Sequence, residues 1–177
     1  MKRLNLGCGK DIRKKWINLD IANIPRIDVV HDINNVPLPF KNNEFDYILC
    51  QDVLEHVEYI PILKDLHRIL KKGGILEIRV PHFSSRFNFM DPTHKKFFSF
   101  QLFEHFVQHP PHNREYYFDF QFNRIVSIRI TFEKGLLLYN YFVEPMVNLS
   151  EKSRRLFEAT LLSSLFPAAN IVVKITK

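Results

Sequence analysis

Glycines and acids follow three short apolar segments near the start of the chain. Gly7 and Gly9 come directly after the apolar segment 2–6. Asp20 ends the second segment, and Asp32 follows the third. Glycine lets the backbone turn sharply and lets a ligand approach it closely, and a carboxylate at the end of a second strand can accept hydrogen bonds from ribose hydroxyls. The order of these residues indicates a nucleoside-binding edge, although each type is also common in turns.

Asp32 and Ile33 could contact a base together. The carboxylate could accept a hydrogen bond from an exocyclic amino group, and the next side chain could pack on the ring face. The alternative for Asp32 is an aspartate turn. A dinucleotide fingerprint is incomplete, because Lys10 and Asp11 follow Gly9 and the third glycine is missing. This departure disfavours a nicotinamide oxidoreductase.

A second group of candidate residues lies in segment 82–123, which is rich in aromatic side chains. The segment holds 11 of the 17 phenylalanines and five of the eight histidines, and it contains no glycine. His82 follows the fifth predicted strand, and His94 comes shortly after it. A histidine with a near-neutral pKa is a natural general base for a hydroxyl or amine. We predict His82 and His94 as catalytic residues, with packing inside the segment as the alternative.

Three histidines raise the question of a metal site. His105 and His109 are spaced to share one helical face, and His112 follows. Pro110 and Pro111 would break a helix before His112, and no cysteine joins the group. We therefore predict no metal.

Short apolar strands separated by crossovers position these residues. Such a pattern indicates a mainly parallel sheet, in which ligands bind beyond the carboxyl ends of the strands. The predicted strands span 2–6, 16–20, 27–31, 47–50, 75–80, 124–132 and 171–176. Only ten residues separate Gly9 from Asp20, so the first crossover helix is expected to be very short.

Two longer helices and one helical turn complete the predicted elements. Apolar side chains recur at helical spacing over 61–72, with Gly73 as the stop. A second helix is predicted over 150–166. Asp52 can cap a short turn before the first helix, and Glu55 lies at capping-box spacing from it.

The bulk composition favours one domain, 1–177, with 82–123 as a substrate lid inserted within it. Cys8 and Cys50 are interpreted as reduced, buried thiols. The start lacks an apolar signal region, and no apolar run reaches the roughly 18 residues of a membrane span. These features predict a cytoplasmic protein. The net charge of +6 comes from scattered side chains and favours anionic partners only weakly.

Six stretches of the chain, in order, resemble the successive motifs of class I methyltransferases that use S-adenosylmethionine. They are Leu-Asn-Leu-Gly-Cys-Gly (4–9), Asn-Leu-Asp-Ile (18–21), His-Asp-Ile (31–33) with Leu-Pro-Phe (38–40), Phe-Asp-Tyr-Ile (45–48), Val-Leu-Glu-His-Val (53–57) and Leu-Lys-Lys-Gly-Gly-Ile-Leu (70–76). The chain most resembles the small branch with the Leu-Glu-His signature, over roughly residues 3–100. The resemblance implies an α/β, Rossmann-like, mainly parallel seven-stranded sheet with helices on both faces and an aromatic-rich insertion after strand five.

The resemblance also implies S-adenosylmethionine as the cofactor and a set of residues that bind it. Gly7 and Gly9 would approach its methionine end, Asp20 its ribose and Asp32 its adenine, while Gln51 would line the sulfonium region. The predicted cofactor-binding residues are Leu6, Gly7, Cys8, Gly9, Asp20, Asp32, Ile33 and Gln51.

The acceptor side is predicted from the insertion and from the Leu-Glu-His stretch. Related methyltransferases carry a stretch similar to Asp91-Pro92-Thr93-His94, so we expect Asp91 to contact the substrate. His56 is expected there too, although it could equally pack inside the protein. An aromatic lid with few clustered charges suits an apolar or neutral acceptor.

The expected activity is therefore methyl transfer to an oxygen or nitrogen atom of a small-molecule or glycan-type acceptor. One alternative is an RNA or tRNA methyltransferase. The excess of basic over acidic side chains favours it, but such an enzyme would normally show a concentrated basic stripe. Nucleic acid is thus a possible but disfavoured partner. Another alternative is a non-catalytic module that binds S-adenosylmethionine. The oligomeric state is not predicted.

Overall fold

The computed structural model describes residues 1–108 and 115–177, which contain a seven-stranded sheet. The strands are β1 (Arg3–Leu6), β2 (Ile17–Asp20), β3 (Val29–Val30), β4 (Phe45–Gln51), β5 (Leu70–Pro81), β6 (Arg124–Thr131) and β7 (Asn170–Thr176). Their order across the sheet is β3-β2-β1-β4-β5-β7-β6. β7 runs antiparallel to both of its neighbours, and the other neighbouring pairs are parallel. The predicted fold class is confirmed.

The strand order reverses between β1 and β4. From β1 the chain moves outward through β2 and β3, then returns to the other side of β1 and continues through β4 and β5. Ligands of open parallel sheets bind at such a reversal, beyond the carboxyl ends of the strands. The segments after β1, β2 and β4 therefore meet at one edge.

The helix α1 (Tyr59–Ile69) packs its apolar side into the core and leads directly into β5. The predicted helix 61–72 was wrong at both ends. The backbone becomes extended at Leu70, which pairs with Phe45 of β4, so the sheet takes up the residues that helical spacing assigned to a last turn. Gly73, predicted as the helix stop, lies inside β5 with a φ of 73°.

The remaining helices are short and mostly near the carboxyl end. They are α2 (Phe87–Met90), α3 (Asn140–Val147), α4 (Glu151–Ala159) and α5 (Leu162–Leu165). Tight 3₁₀ turns span Leu54–His56, Phe100–Phe106 and Glu115–Tyr117. The predicted helix 150–166 is two helices, because the backbone is extended at Thr160. Ser150 caps α4, where its Oγ accepts from the amide of Ser153 at 3.1 Å. In the described residues, no helix has both the length and the apolar character to cross a membrane.

The expected crossover helix between β1 and β2 does not form in segment 7–16, all of which the structure describes. Buried asparagines hold turns there instead. The side-chain amide of Asn5 donates to the backbone carbonyl of Asp11 at 2.7 Å, and Oδ1 of Asn18 accepts from the backbone amide of Arg13 at 2.9 Å. These side-chain bonds satisfy backbone groups that a helix would otherwise pair.

The aromatic insertion is joined to the main core over much of its length. Its fully buried rings are Phe98, Phe100, Phe103, Phe106 and Phe122. Glu158 of α4 fastens the segment by accepting from the Ser99 hydroxyl at 2.5 Å and from the Phe100 amide at 2.9 Å. Phe89 and Phe97 are instead exposed. The mobility expected of a lid remains a prediction.

Candidate cofactor and acceptor site

The turn after β1 depends on glycine. Gly7 has a φ of 63° and Gly9 a φ of 48°, in the left-handed region that side chains with a Cβ rarely adopt. A Cβ on Gly7 would lie 2.4 Å from Cγ2 of Val53, whereas no heavy atom of the described residues lies within 4 Å of a Cβ on Gly9. The turn therefore packs closely on Val53 at one glycine and is open at the other.

Asp20 ties this turn to the end of β2. One carboxylate oxygen accepts from the Gly9 amide at 2.7 Å, and the other accepts from the Ala22 amide at 2.9 Å. A carboxylate has about four acceptor positions, so two remain for a ligand. Asp20 thus shapes the glycine turn and retains the capacity to bind hydroxyls.

Asp32 forms the aspartate turn that the sequence left open as an alternative. Its Oδ1 accepts from the backbone amide and from the side-chain amide of Asn34, both at 2.9 Å. The neighbouring Ile33 is only 8% exposed and lines the same cavity as Asp32. The turn therefore presents a polar and an apolar side chain side by side.

These residues surround a cavity of about 330 Å³, which is near the lower end of the range for small-molecule sites. Its lining residues are Gly7, Asp20, Ile21, His31, Asp32, Ile33, Asn34, Asp52, Val53, His56 and Val57. The cavity lies at the edge where the segments after β1, β2 and β4 meet. A larger cleft of about 640 Å³ runs along α1, but the predicted site residues are absent from the described residues that line it.

Three predicted cofactor residues lie elsewhere. Leu6 and Cys8 are buried in the core, so their side chains act as packing groups. The side chain of Gln51 lies near Arg13, with 3.4 Å between Gln51 Oε1 and Arg13 Nη2, and Gln51 is absent from the described lining of the cavity. Asp52, one residue later, lines the cavity in its place.

Asp52 and Val53 line the cavity but were not predicted from the sequence. The predicted helix cap at Asp52 was wrong: its carboxylate pairs with Arg79, and the turn Leu54–His56 has no side-chain cap bond among the described residues. Its position directly after a parallel strand was the available signal, because that is where such sheets bind ligands.

His82 does not face the cavity. Its ring is fully buried, and Nε2 donates to Glu158 Oε1 at 3.0 Å. Nδ1 accepts from the Ser84 amide at 3.1 Å, so both ring nitrogens are engaged. The geometry therefore gives no support to the predicted role of His82 as a general base.

Glu158 is the carboxylate that anchors His82. Its burial opposes ionisation, but hydrogen bonds from His82, Ser99 and the Phe100 amide prevail and hold the pKa of the Glu158 carboxyl below its usual range. His82 and Glu158 thus join the end of β5 to α4 and to the insertion.

One carboxyl group and two imidazoles, those of Glu55, His56 and His94, form a cluster beside the cavity. One donor atom from each of the three lies within 4.8 Å of the other two. Nε2 of His94 is 3.9 Å from Glu55 Oε1, and the centroids of the two imidazole rings are 4.6 Å apart. His56 also lines the cavity, so the cluster meets the predicted cofactor residues at its rim.

Burial sets the electrostatics of this cluster. It raises the pKa of Glu55 to about 8, so that carboxyl is largely uncharged at neutral pH. Burial and the neighbouring His56 lower the pKa of His94, which keeps its imidazole neutral. Hydrogen bonds from the Thr93 hydroxyl and amide hold the pKa of Asp91 below its usual range.

Asp91 and Thr93 orient His56. The Thr93 hydroxyl donates to Asp91 Oδ1 at 2.6 Å, so its oxygen must accept from Nδ1 of His56, which is 2.8 Å away. Nδ1 of His56 is thereby engaged as a donor, which fixes the orientation of the ring. Asp91, predicted to contact the substrate, accepts from Thr93, and its Oδ2 lies 4.0 Å from Nε2 of His94.

Of the three histidines that raised the metal question, only His105 can be placed relative to this cluster, and it is not a member. His109 and His112 lie outside the described residues, and His105 lies in the turn Phe100–Phe106. The residues that the structure does bring together with metal-ligand spacing are Glu55, His56 and His94.

Comparison with known proteins relates part of the chain to methyltransferases. Residues 5–78, fewer than half of the 177, match the family described as "Methyltransferase domain". An uncharacterized protein of Methanocaldococcus jannaschii is 35% identical over 88 residues, which cover 44% of this chain and 39% of that protein. The demethylmenaquinone methyltransferase of Lysinibacillus sphaericus is 38% identical over 53 residues, covering 29% and 22%. The chain thus spans well under half the length of these curated relatives.

Solved structures show the same fold over the whole chain. A SAM-dependent methyltransferase from Archaeoglobus fulgidus superimposes with a TM-score of 0.59 at 16% identity, covering 99% of this chain and 86% of that one. The family match thus relates residues 5–78 to methyltransferase domains, and the solved structure shows that the fold is shared.

Proposed function

We propose that this protein is an S-adenosylmethionine-dependent methyltransferase that modifies an oxygen or nitrogen atom of a small-molecule or glycan-type acceptor. One observation carries the proposal. The cavity at the edge of the sheet is lined by Gly7, Asp20, Asp32 and Ile33, which are predicted to bind the cofactor, and also by His56 of the polar cluster. Cofactor and acceptor would therefore meet at the rim of one cavity.

The residues of the cavity fit the cofactor that the family match implies. The free acceptor positions of Asp20 would bind the ribose hydroxyls, and Asp32 with Ile33 would hold the adenine. The open side of the glycine turn would face the methionine end, because a Cβ at Gly9 would meet empty space among the described residues. Bound S-adenosylmethionine supplies an electrophilic methyl group.

The cluster would orient the acceptor. His56 lines the cavity, and His94 lies beside His56 with a pKa that burial lowers, which keeps its imidazole neutral. In the transfer, the bond from the methyl carbon to sulfur breaks with its electron pair on sulfur, a bond to the acceptor atom forms, and the acceptor's proton is lost to water. Alignment of the two reacting atoms contributes much of the acceleration in such reactions.

Exposed aromatic rings favour an acceptor with an apolar part. Phe89 is 76% exposed and Phe97 57%, and their centroids lie 6.0 Å apart at the two ends of the segment that carries Asp91 and His94. Pocket walls of aromatic groups with a few polar side chains are typical of small-molecule sites. Several curated relatives carry the name demethylmenaquinone methyltransferase.

Calorimetry tests the cofactor part of the proposal. S-adenosylmethionine and its demethylated product should bind to the purified protein, and both should bind more tightly than NAD. Asp32→Ala should weaken both sulfur ligands, because the turn that presents Ile33 and the adenine partner is lost. Asp119→Asn is the matched control, since this exposed acid pairs with Lys64 away from the cavity. Tight binding of NAD alone would refute the proposal.

Labelled S-adenosylmethionine tests the acceptor class. Extracts are divided into a small-molecule and glycan fraction and an RNA fraction, and each is incubated with the protein. We expect label in the first fraction and its loss in His94→Ala, with cofactor affinity nearly unchanged. Label confined to RNA would favour the RNA methyltransferase, and cofactor binding without transfer to any fraction would favour a non-catalytic module.

A further inference from the structure

Glu55 is a buried carboxyl group without a bonding partner in the described part of the chain. It is 0% exposed, and neither side-chain oxygen has a hydrogen bond there. Buried polar atoms are nearly always paired, so an unpaired carboxyl points to a ligand or ion that completes it. Oε1 of Glu55 is directed at the imidazole of His94, 3.9 Å away.

The two histidines of the cluster are also placed so that they could bind a metal ion. The hydrogen-bond chain through Thr93 occupies Nδ1 of His56 and fixes the orientation of the ring, so Nε2 is the nitrogen that would bind an ion. A hydrogen bond from the second nitrogen of a ligating imidazole to an oxygen is the usual support around a metal ion. His94 has a buried Nδ1 without a partner in the described residues, and its Nε2 faces Glu55.

We propose that Glu55, His56 and His94 bind a divalent first-row transition-metal ion at the rim of the cofactor cavity. Two imidazoles with one carboxylate suit Zn²⁺, Co²⁺ or Fe²⁺, whereas Mg²⁺ and Ca²⁺ prefer oxygen donors. Two donors bound to one ion at about 2.1 Å lie at most about 4.2 Å apart. The donor atoms now lie within 4.8 Å of one another, so small rotations of the side chains would close the site.

Three protein ligands leave coordination positions open. Because His56 also lines the cavity, an open position would face the place where the acceptor meets the cofactor. The ion would hold an acceptor oxygen there and lower its pKa. This role rests on the proposed methyl transfer, whereas binding of the ion does not.

Binding is tested with Co²⁺ alone on untagged protein dialysed against a chelator. Visible absorption and calorimetry should show one saturable site per chain, with the ligand-field bands of mixed nitrogen and oxygen coordination. Absence of saturable binding in the micromolar range would overturn the proposal.

Four variants identify the ligands. Glu55→Gln and His94→Ala should each weaken Co²⁺ binding by more than about 100-fold, and Thr93→Val, which removes only the support of His56, by about 10–100-fold. His31→Ala is the matched control, because His31 lines the same cavity outside the cluster and bonds to the Asn35 carbonyl at 2.8 Å. Its Co²⁺ affinity should be unchanged. Wild-type affinity in Glu55→Gln would overturn the assignment.

Two further measurements separate loss of the metal site from other failures. Thermal unfolding shows whether a variant is folded, and cofactor binding tests the proposed function separately. At a hundredfold excess over Kd, Co²⁺ should raise the Tm of the wild type by about 5–10 °C and leave that of folded Glu55→Gln unchanged. The demethylated cofactor is titrated into the same samples. Loss of Co²⁺ binding with retained cofactor binding would refute the metal site alone, and loss of cofactor binding in the wild type would refute the proposed function.

Discussion

Gly7→Ala should destabilise the protein more than an alanine substitution at another glycine whose φ is also positive. The left-handed conformation at φ 63° costs a residue with a Cβ about 1–2 kcal/mol. The new Cβ would also lie 2.4 Å from Cγ2 of Val53, and overpacking of this kind costs about 1–3 kcal/mol. Val53 is β-branched and stiff at χ1, so it cannot rotate away easily. The expected loss is about 2–5 kcal/mol.

Gly135→Ala is the matched control. Gly135 has a φ of 89°, but no heavy atom of the described residues lies within 4 Å of the position that a Cβ would take there. Only the conformational cost of about 1–2 kcal/mol applies. Since about 1 kcal/mol shifts Tm by roughly 2–4 °C in a chain of this size, Gly7→Ala should melt several degrees below Gly135→Ala.

The double variant Gly7→Ala/Val53→Ala isolates the clash. Truncating Val53 removes the atom that the new Cβ meets, so the loss in the double variant should be smaller than the sum of the two single losses by about 1–3 kcal/mol. Urea unfolding of all four proteins of the cycle measures this coupling. A Gly7→Ala protein as stable as Gly135→Ala, or strictly additive losses in the cycle, would refute the close packing of the turn on Val53.

Further predictions concern the cofactor, acid stability and the insertion. Asp20→Ala should weaken binding of the demethylated cofactor about tenfold to hundredfold, since hydrogen bonds to a charged group are worth about 1.5–3 kcal/mol; an unchanged Kd in calorimetry of the folded variant would remove Asp20 from the site. The Glu158 carboxyl has a folded pKa below its ordinary value of 4.5, so its stabilisation is complete above that pH and is lost as pH falls through the folded pKa. Glu158→Gln should therefore flatten the acid side of the stability curve in urea titrations, and a slope identical to the wild type would contradict this. Amides of residues 86–97 should exchange faster than those of 98–106 and gain protection when ligand binds; equally slow exchange in both segments, with or without ligand, would argue against a lid.

The central sheet could be predicted because its strands are short, apolar and bounded by turn residues. β1 and β2 differ from their predicted bounds by one residue at the amino end. The boundary between α1 and β5 could not, because helical spacing continues past Ile69 while the pairing of Leu70 with Phe45 is a long-range contact. Ser150 was a correct local signal for the start of α4. The break at Thr160 carries no comparable signal in the sequence.

The cofactor edge could be predicted for a topological reason. Once the strands are parallel, the residues that follow β1, β2 and β3 must meet at one edge, and Gly7, Asp20 and Asp32 line the same cavity there. The direction of individual side chains was harder to predict. Gln51 is the last residue of β4 and lies near Arg13, whereas Asp52 lines the cavity, because the chain leaves the extended conformation at Asp52, which has a φ of 54°.

The position of Glu55 shows why the acceptor side was harder to predict. Its spacing from Asp52 is that of a capping box, a local pattern that accounts for an acid without any tertiary contact. In the folded chain, the amide of Lys95 donates to the Glu55 carbonyl at 2.8 Å, so the insertion closes over the turn and buries the carboxyl. The same contact brings His94, the residue before Lys95, to the side chain of Glu55. An acid that would be an ordinary surface cap in an isolated helix thus becomes a buried donor facing two imidazoles, and the folding of the insertion, rather than the motif itself, creates the chemistry of the cluster.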